Sequence, residues 1–225
     1  MSGESVPRRS FLDRFFVGSV VALGATPALS AMACAPAASP PAAPSNDLDA
    51  WLATMHGPEK VFYDATSAAG ASDGILFARN FLKFSSEKLG TKDSEMSVIV
   101  GFRHFATPFG YNDAMWAKYP QFAAMLKFDD PKTKKPAARN VSLHDDIEGF
   151  DGTSLPALSA HGVQYSVCGA ATSFLAGVIA GKTGDAKAID AELGASLIPG
   201  ATLAPAGVVA VQRAHKAGFA YTFTG

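Results

Sequence analysis

Residues 97–102 read SVIVGF, apolar at consecutive positions instead of alternate ones. A strand of that kind has no face to offer water, so it must sit in a sheet covered on both sides. Antiparallel sheets commonly keep one face wet, and the pattern therefore favours a parallel sheet whose crossovers lay helices on both faces. The rest of the body meets that demand. KVFYDA (60–65) is a second short buried strand; Gly70, Ser72 and Asp73 then supply turn and N-cap chemistry before Ile75, Ala78, Leu82, Ser85 and Leu89 recur at helical spacing up to Gly90. A helix from Leu155 to His161, closed by Gly162, leads into a strand from Val163 to Cys168, in which Gln164 and Ser166 alternate with apolar residues. Helices follow over Thr172–Ala180 and Ala186–Leu193, then a strand at Ala201–Ala204, a helix over Ala206–Ala217 and a last strand at Phe219–Phe223. The stretch from Phe105 to Phe150 is less regular. Two short helices, Asp113–Tyr119 and Gln121–Phe128, flank Pro120, and DDPKTKKPAARN reads as an exposed loop, so this stretch is assigned as an insertion. The expected fold class is α/β, a mainly parallel sheet flanked by helices on both faces, without internal repeats.

The N-terminus belongs to a different kind of segment. Arg8 and Arg9 precede an apolar run from Phe15 to Leu29, broken by Gly18, Gly24 and Pro27 and followed by small residues. A membrane-spanning helix needs about 20 apolar residues, so an export signal over residues 1–33 is the expectation. Arg8-Arg9-Ser10-Phe11-Leu12 resembles the twin-arginine signal that sends folded proteins across the bacterial inner membrane, departing from it at Pro7 and Asp13. Ala31-Met32-Ala33 fits the small-x-small cleavage rule and leaves Cys34 at the mature end. Cys34 is where a lipoprotein carries its lipid, although Ala31 stands where that motif prefers Leu; membrane attachment is expected only if Cys34 is lipidated. An Ala/Pro-rich tether fills residues 34–46, and one α/β domain is expected over 47–225, in the periplasm.

Charge narrows the partners. The whole chain has 19 basic and 20 acidic residues, and removing the leader takes three arginines but only two acids. So mild a balance, with no basic run beyond Lys132, Lys134 and Lys135, speaks against nucleic acid. Gly169 and Gly177 are too far apart for a dinucleotide fingerprint, there is no Walker loop, and no pair of His or Cys has zinc-ligand spacing. No cofactor and no metal is expected.

What remains is a thiol. Cys168 ends its strand, and Gly169-Ala170-Ala171 runs straight into the next helix. In parallel α/β sheets ligands collect beyond the carboxyl ends of strands, and a helix N-terminus there can stabilise a thiolate. Asp64, Arg103 and His104 lie at the equivalent ends of their own strands, so four polar groups are expected along one sheet edge. Each has a plainer reading: cysteine packs well in strands, Arg103 and His104 can simply pair with Asp64, and His161 suits the C-terminal end of a helix. The aromatics Phe77, Phe81, Phe84, Trp116, Tyr119 and Phe122 read as core or interface.

HGVQYSVCGAA, with Leu155 and Leu158 before it, resembles the cysteine segment of the DsrE/DsrF-like sulfur-relay family, in which a Gly-Val-x-φ-x-Val-Cys stretch ends a strand. KVFYDA, VIVGFRH with the later WAKY, and LIPGATLAPAGVVAVQRAHKAGFAY extend the likeness from Lys60 to Tyr221. The resemblance implies a small three-layer α/β fold, assembly into trimers or hexamers, and a cysteine that carries sulfur as a persulfide, a role that falls on Cys168. The family's best-understood members act in the cytoplasm, whereas this chain, with its export segment, is similar to a secreted branch. Two functions follow as expectations. Either Cys168 takes sulfane sulfur from a small donor or partner protein and passes it on, supported by Arg103, His104 and Asp64, or the protein is a non-catalytic periplasmic oligomer that binds a ligand or partner while Cys168 merely packs.

Overall fold

The computed structural model describes residues 47–148 and 151–225. The export segment 1–33, Cys34 and the tether to residue 46 lie outside the described residues. In chain order the elements are α1 (Asp47–Ala53), β1 (Glu59–Ala65), α2 (Ala68–Phe84), β2 (Met96–Phe102), α3 (Asp113–Lys118), α4 (Gln121–Leu126), α5 (Leu155–Ala160), β3 (Gln164–Cys168), α6 (Gly169–Ala180), α7 (Ala186–Ala195), β4 (Ala201–Ala204), α8 (Gly207–Lys216) and β5 (Ala220–Thr224). The strands form one five-stranded parallel sheet in the order β4-β3-β2-β1-β5.

From β1 the chain steps outward through β2, β3 and β4, then crosses back to set β5 on the other side of β1. Right-handed crossovers put all connections made in one direction on one face and the return connection on the other. The packing follows that rule. Ile75, Ala78 and Leu82 of α2, Leu155 and Leu158 of α5, Leu175 and Ala176 of α6, and Leu193 of α7 bury against Val61, Tyr63, Val98, Val100, Tyr165 and Val167. On the opposite face Leu48 and Leu52 of α1 and Ala210 and Ala214 of α8 pack on Phe62, Ile99 and Ala204. The consecutive apolar residues of β2 thus have a helix layer to fill on each side, and all seven of its residues are buried. Gly101, inside that run, is where the Phe62 ring sits: a Cβ there would lie 2.5 Å from it.

Several expectations shift. α1 was not foreseen. α2 begins at Ala68, capped by Ser67, whose side chain accepts the Gly70 N–H at 2.9 Å, and not at the Gly70–Asp73 turn. Gly70 is instead a close-approach glycine, since a Cβ there would stand 1.9 Å from the Thr224 carbonyl. The helix then widens through a π-type turn, Ser85–Leu89, and stops at Gly90 with φ of 71°. In β3, Ser166 is buried like its apolar neighbours, because a central strand has both faces covered. α6 starts directly at Gly169.

The stretch after β2 is no appendage. Phe109, Trp116 and Phe128 meet edge to face, with ring centroids 5.4 Å apart for Phe109–Trp116 and 5.3 Å for Phe109–Phe128, and Trp116 Nε1 donates to the Pro108 carbonyl at 2.8 Å. The lysines of DDPKTKKPAARN are exposed as expected, but Asp130, Ala137 and Asn140 within it are buried. Asp130 pairs with Arg139 at 2.7 Å, and Asn140 donates to the carbonyls of both Phe109 and Tyr111 at 2.8 Å. Irregular backbone can enter a core only where side chains satisfy its polar groups, and these residues do so.

Candidate functional site

Adjacent parallel strands whose following connections leave on opposite faces open a crevice between their carboxyl ends. Here β3 and β4 are such a pair: α6 follows β3 onto one face and α8 follows β4 onto the other. Their last paired residues are Cys168 and Ala204, so the thiol sits at the topological switch point of the sheet.

The local sequence brings two helix N-termini onto it. Cys168 caps α6, its Sγ accepting the Ala171 N–H at 3.4 Å, and Sγ also accepts the Gly207 N–H at 3.0 Å from the first residue of α8. Both helices direct unsatisfied N–H groups and the positive ends of their dipoles toward the sulfur, an arrangement that favours negative charge there. Glycine at 169 and at 207 permits the approach. A Cβ at Gly169 would lie 2.8 Å from the Ala204 carbonyl oxygen, and one at Gly207 would lie 2.5 Å from Cβ of Arg103. The peptide after the thiol is fixed as well, because Tyr111 donates to Thr172 Oγ1 at 2.7 Å and Thr172 donates to the Cys168 carbonyl at 2.9 Å.

Arg103 and Asp64 pair at the neighbouring strand ends. The guanidinium forks onto the carboxylate through Nε at 2.7 Å and Nη2 at 2.8 Å, and the Tyr221 hydroxyl donates to the same carboxylate at 2.8 Å. Asp64 is 1% exposed and the Arg103 side chain 26%, so the acid is a buried anchor and the base reaches the surface. The hydrogen bond to Asp64 raises the Arg103 pKa above its ordinary value; burial first, then the Asp64 carboxylate, raises that of Tyr221. His104 adopts the left-handed region, φ 53°, and packs edge-on against Phe105 with ring centroids 4.3 Å apart. A non-glycine residue held there is strained, and such strain gathers at functional sites.

Arg103, His104 and Cys168 line one open cavity of about 410 Å³, together with Phe105, Phe174, Leu175 and Val208. Asp64 stands behind Arg103, outside the cavity lining, so of the four expected groups three share the space and the fourth holds one of them. Cys168 as a residue is only 7% exposed and is a free thiol, reached through this cavity. His161 is elsewhere, at the C-cap of α5 with Asp93 at 2.8 Å. Of the aromatics read as core or interface, Trp116, Tyr119 and Phe122 are buried and Phe77 and Phe84 exposed, and none lines the cavity; Phe105 and Phe174, which do, carry no periodic signature. Tyr221 and Gly207 were also missed as partners. For Gly207 a signal exists in retrospect, since ATLAPAG repeats the strand, glycine, helix order of SVCGAA.

Among the described residues no group of three or more His, Cys, Asp or Glu is placed to hold a metal ion, and no helix is long and apolar enough to cross a membrane. Compared with family models, curated proteins and solved structures, the chain matches none of them, so a functional reading rests on the site's own geometry.

Proposed function

We propose that the protein carries sulfane sulfur as a persulfide on Cys168, in the periplasm to which its leader would direct it. The observation that carries the reading is the position of Sγ: at the switch point of the sheet, facing the Gly207 and Ala171 N–H groups, and open to a cavity shared with Arg103 and His104. A thiolate is the nucleophile that takes up sulfur, and N–H donors from two helix ends solvate negative charge where water has little access. The Arg103 guanidinium, aimed by Asp64 and Tyr221, adds a fixed positive group at the same edge.

One observation favours the alternative, a periplasmic oligomer in which Cys168 only packs: its Sγ already has two N–H partners and the residue is nearly buried. The two readings separate by mass. After incubation with polysulfide and gel filtration, the purified protein should gain one sulfur that a reductant removes, and Cys168→Ser should not. A Cys168 that stays unmodified under native conditions sinks the carrier reading.

A further inference from the structure

We propose that the donor to Cys168 is a small organic hydropersulfide, R–S–SH, with an apolar body R, and not an inorganic polysulfide or thiosulfate; this rests on the persulfide reading of Cys168. The cavity lining is mixed in character. Cys168, Gly207, Arg103 and His104 share it with Phe105, Phe174, Leu175 and Val208, and the Gly207 N–H is held by the sulfur. Its volume of about 410 Å³ is far more than an inorganic sulfur chain of two or three atoms needs. A water molecule, for scale, occupies about 30 Å³. Phe174 and Val208 stand 62% exposed and Phe105 40%, apolar surface left in water beside the one thiol among the described residues. A ligand body laid on them regains that surface.

Charge points the same way. Inorganic polysulfides and thiosulfate are small anions with no apolar body, and the guanidinium lining the cavity is already held in a bidentate pair with Asp64. Entry past the phenylalanines would strip their hydration against apolar walls that return none of it. An organic hydropersulfide also ionises in water, but its apolar body R regains on the walls what its head loses, and its protonated form, the one a thiolate can attack, presents its outer sulfur to Sγ. The step balances without an added oxidant. The Cys168 thiolate attacks the outer sulfur of R–S–SH, the Sγ–S bond forms, and the bond between the donor's two sulfurs breaks. Its electron pair leaves with R–S⁻, which takes the proton from the new Cys168–S–SH to give R–SH and the Cys168 persulfide anion.

The test measures sulfur uptake on the Cys168 peptide from benzyl hydropersulfide, glutathione hydropersulfide and inorganic disulfide, HSS⁻. Each rate is divided by that of the same donor with N-acetylcysteine, which cancels the donor's own reactivity. The normalised benzyl rate should exceed the inorganic one by about tenfold or more, with the charged glutathione donor between them. Phe174→Ala should lower the benzyl-to-inorganic ratio about fivefold, and Phe174→Leu, which keeps an apolar wall, should largely restore it. Equal ratios, or a preference for HSS⁻ or glutathione, overturn the inference and leave the carrier reading standing. No uptake from any donor overturns both.

Discussion

A single methyl group at position 207 tests how the thiol is held. Cβ of an alanine there would come 2.5 Å from Cβ of Arg103 and 2.9 Å from its Cδ, so either the arginine or the start of α8 must move. Movement of α8 draws the Gly207 N–H away from Sγ; movement of Arg103 opens its fork on Asp64. Gly207→Ala should therefore cost about 1–3 kcal/mol in thermal unfolding and slow persulfide uptake at Cys168 about tenfold. Gly194→Ala is the control. It lies inside α7 with its nearest would-be contact, Leu203 Cδ2, at 3.5 Å, and should leave uptake unchanged and stability the same or slightly raised. At this scale the sequence marks Asp64, Arg103, His104 and Cys168, because each follows an apolar run and a strand end is legible from local pattern. Their partners are not legible. Gly207 bonds a sulfur 39 residues away, and Tyr221 an acid 157 residues away, pairings that exist only once strand order is set.

Among elements, most strands and helices were legible to within a few residues, the four-residue β4 and the short α3 and α4 included, while α1 and the start of α2 were not. α1 carries Leu48, Trp51 and Leu52 at helical spacing but is only seven residues long and directly follows the Ala/Pro-rich tether. The first turn of α2 has no large apolar group, and its start is decided by the extended backbone of Ser67 and by contact with the C-terminal strand. In the segment between β2 and β3 the two short helices were legible, but the polar run after them was read only as exposed loop, because polarity marks salt-bridged anchors as well as solvated loop. Arg139 holds Asp130 at 2.7 Å and Asp146 at 2.8 Å, and Lys132 adds to the second. Hydrogen bonding to Arg139 lowers the Asp130 pKa below the carboxylate range, and to Arg139 and then Lys132 lowers that of Asp146 to about 2. A carboxylate depressed in the folded state contributes its full stability above its unfolded value, about 4, and loses it as pH falls through the folded one. Amide exchange in residues 128–146 should thus speed up as pH drops from about 4 toward 2, after correction for intrinsic rates, while the central sheet stays protected. In Arg139→Ala the segment should exchange faster already at neutral pH and lose most of that acid dependence. Equal acid sensitivity in the variant would assign the transition to other groups.

For the molecule as a whole, the decisive fact is the return of the chain from β4 to β5. Alternating strands and helices announce a parallel sheet, but strand order is a property of long-range pairing, and no residue encodes it locally. With β5 placed beside β1, the carboxyl ends of β3 and β4 become the switch point, and Cys168 passes from a residue at one strand end to a residue between two helix N-termini. The same placement leaves Cys168 nearly buried in the sheet yet lining an open cavity. Those two facts imply opposite couplings between thiol chemistry and global stability. A thiol sealed in the core reacts only when the domain opens, and for ordinary stabilities that slows it roughly four powers of ten or more and ties its rate to denaturant. A thiol reached through a standing cavity reacts in the native state. Alkylation of Cys168 by iodoacetamide, followed on its peptide to keep it apart from Cys34, should therefore run at a rate flat across sub-denaturing urea. It should rise only when the population unfolds. A rate that climbs with urea from the first additions, in proportion to the unfolded fraction, would mean that the sheet closes over Sγ, and both sulfur uptake and donor selection at this site would lose their physical basis.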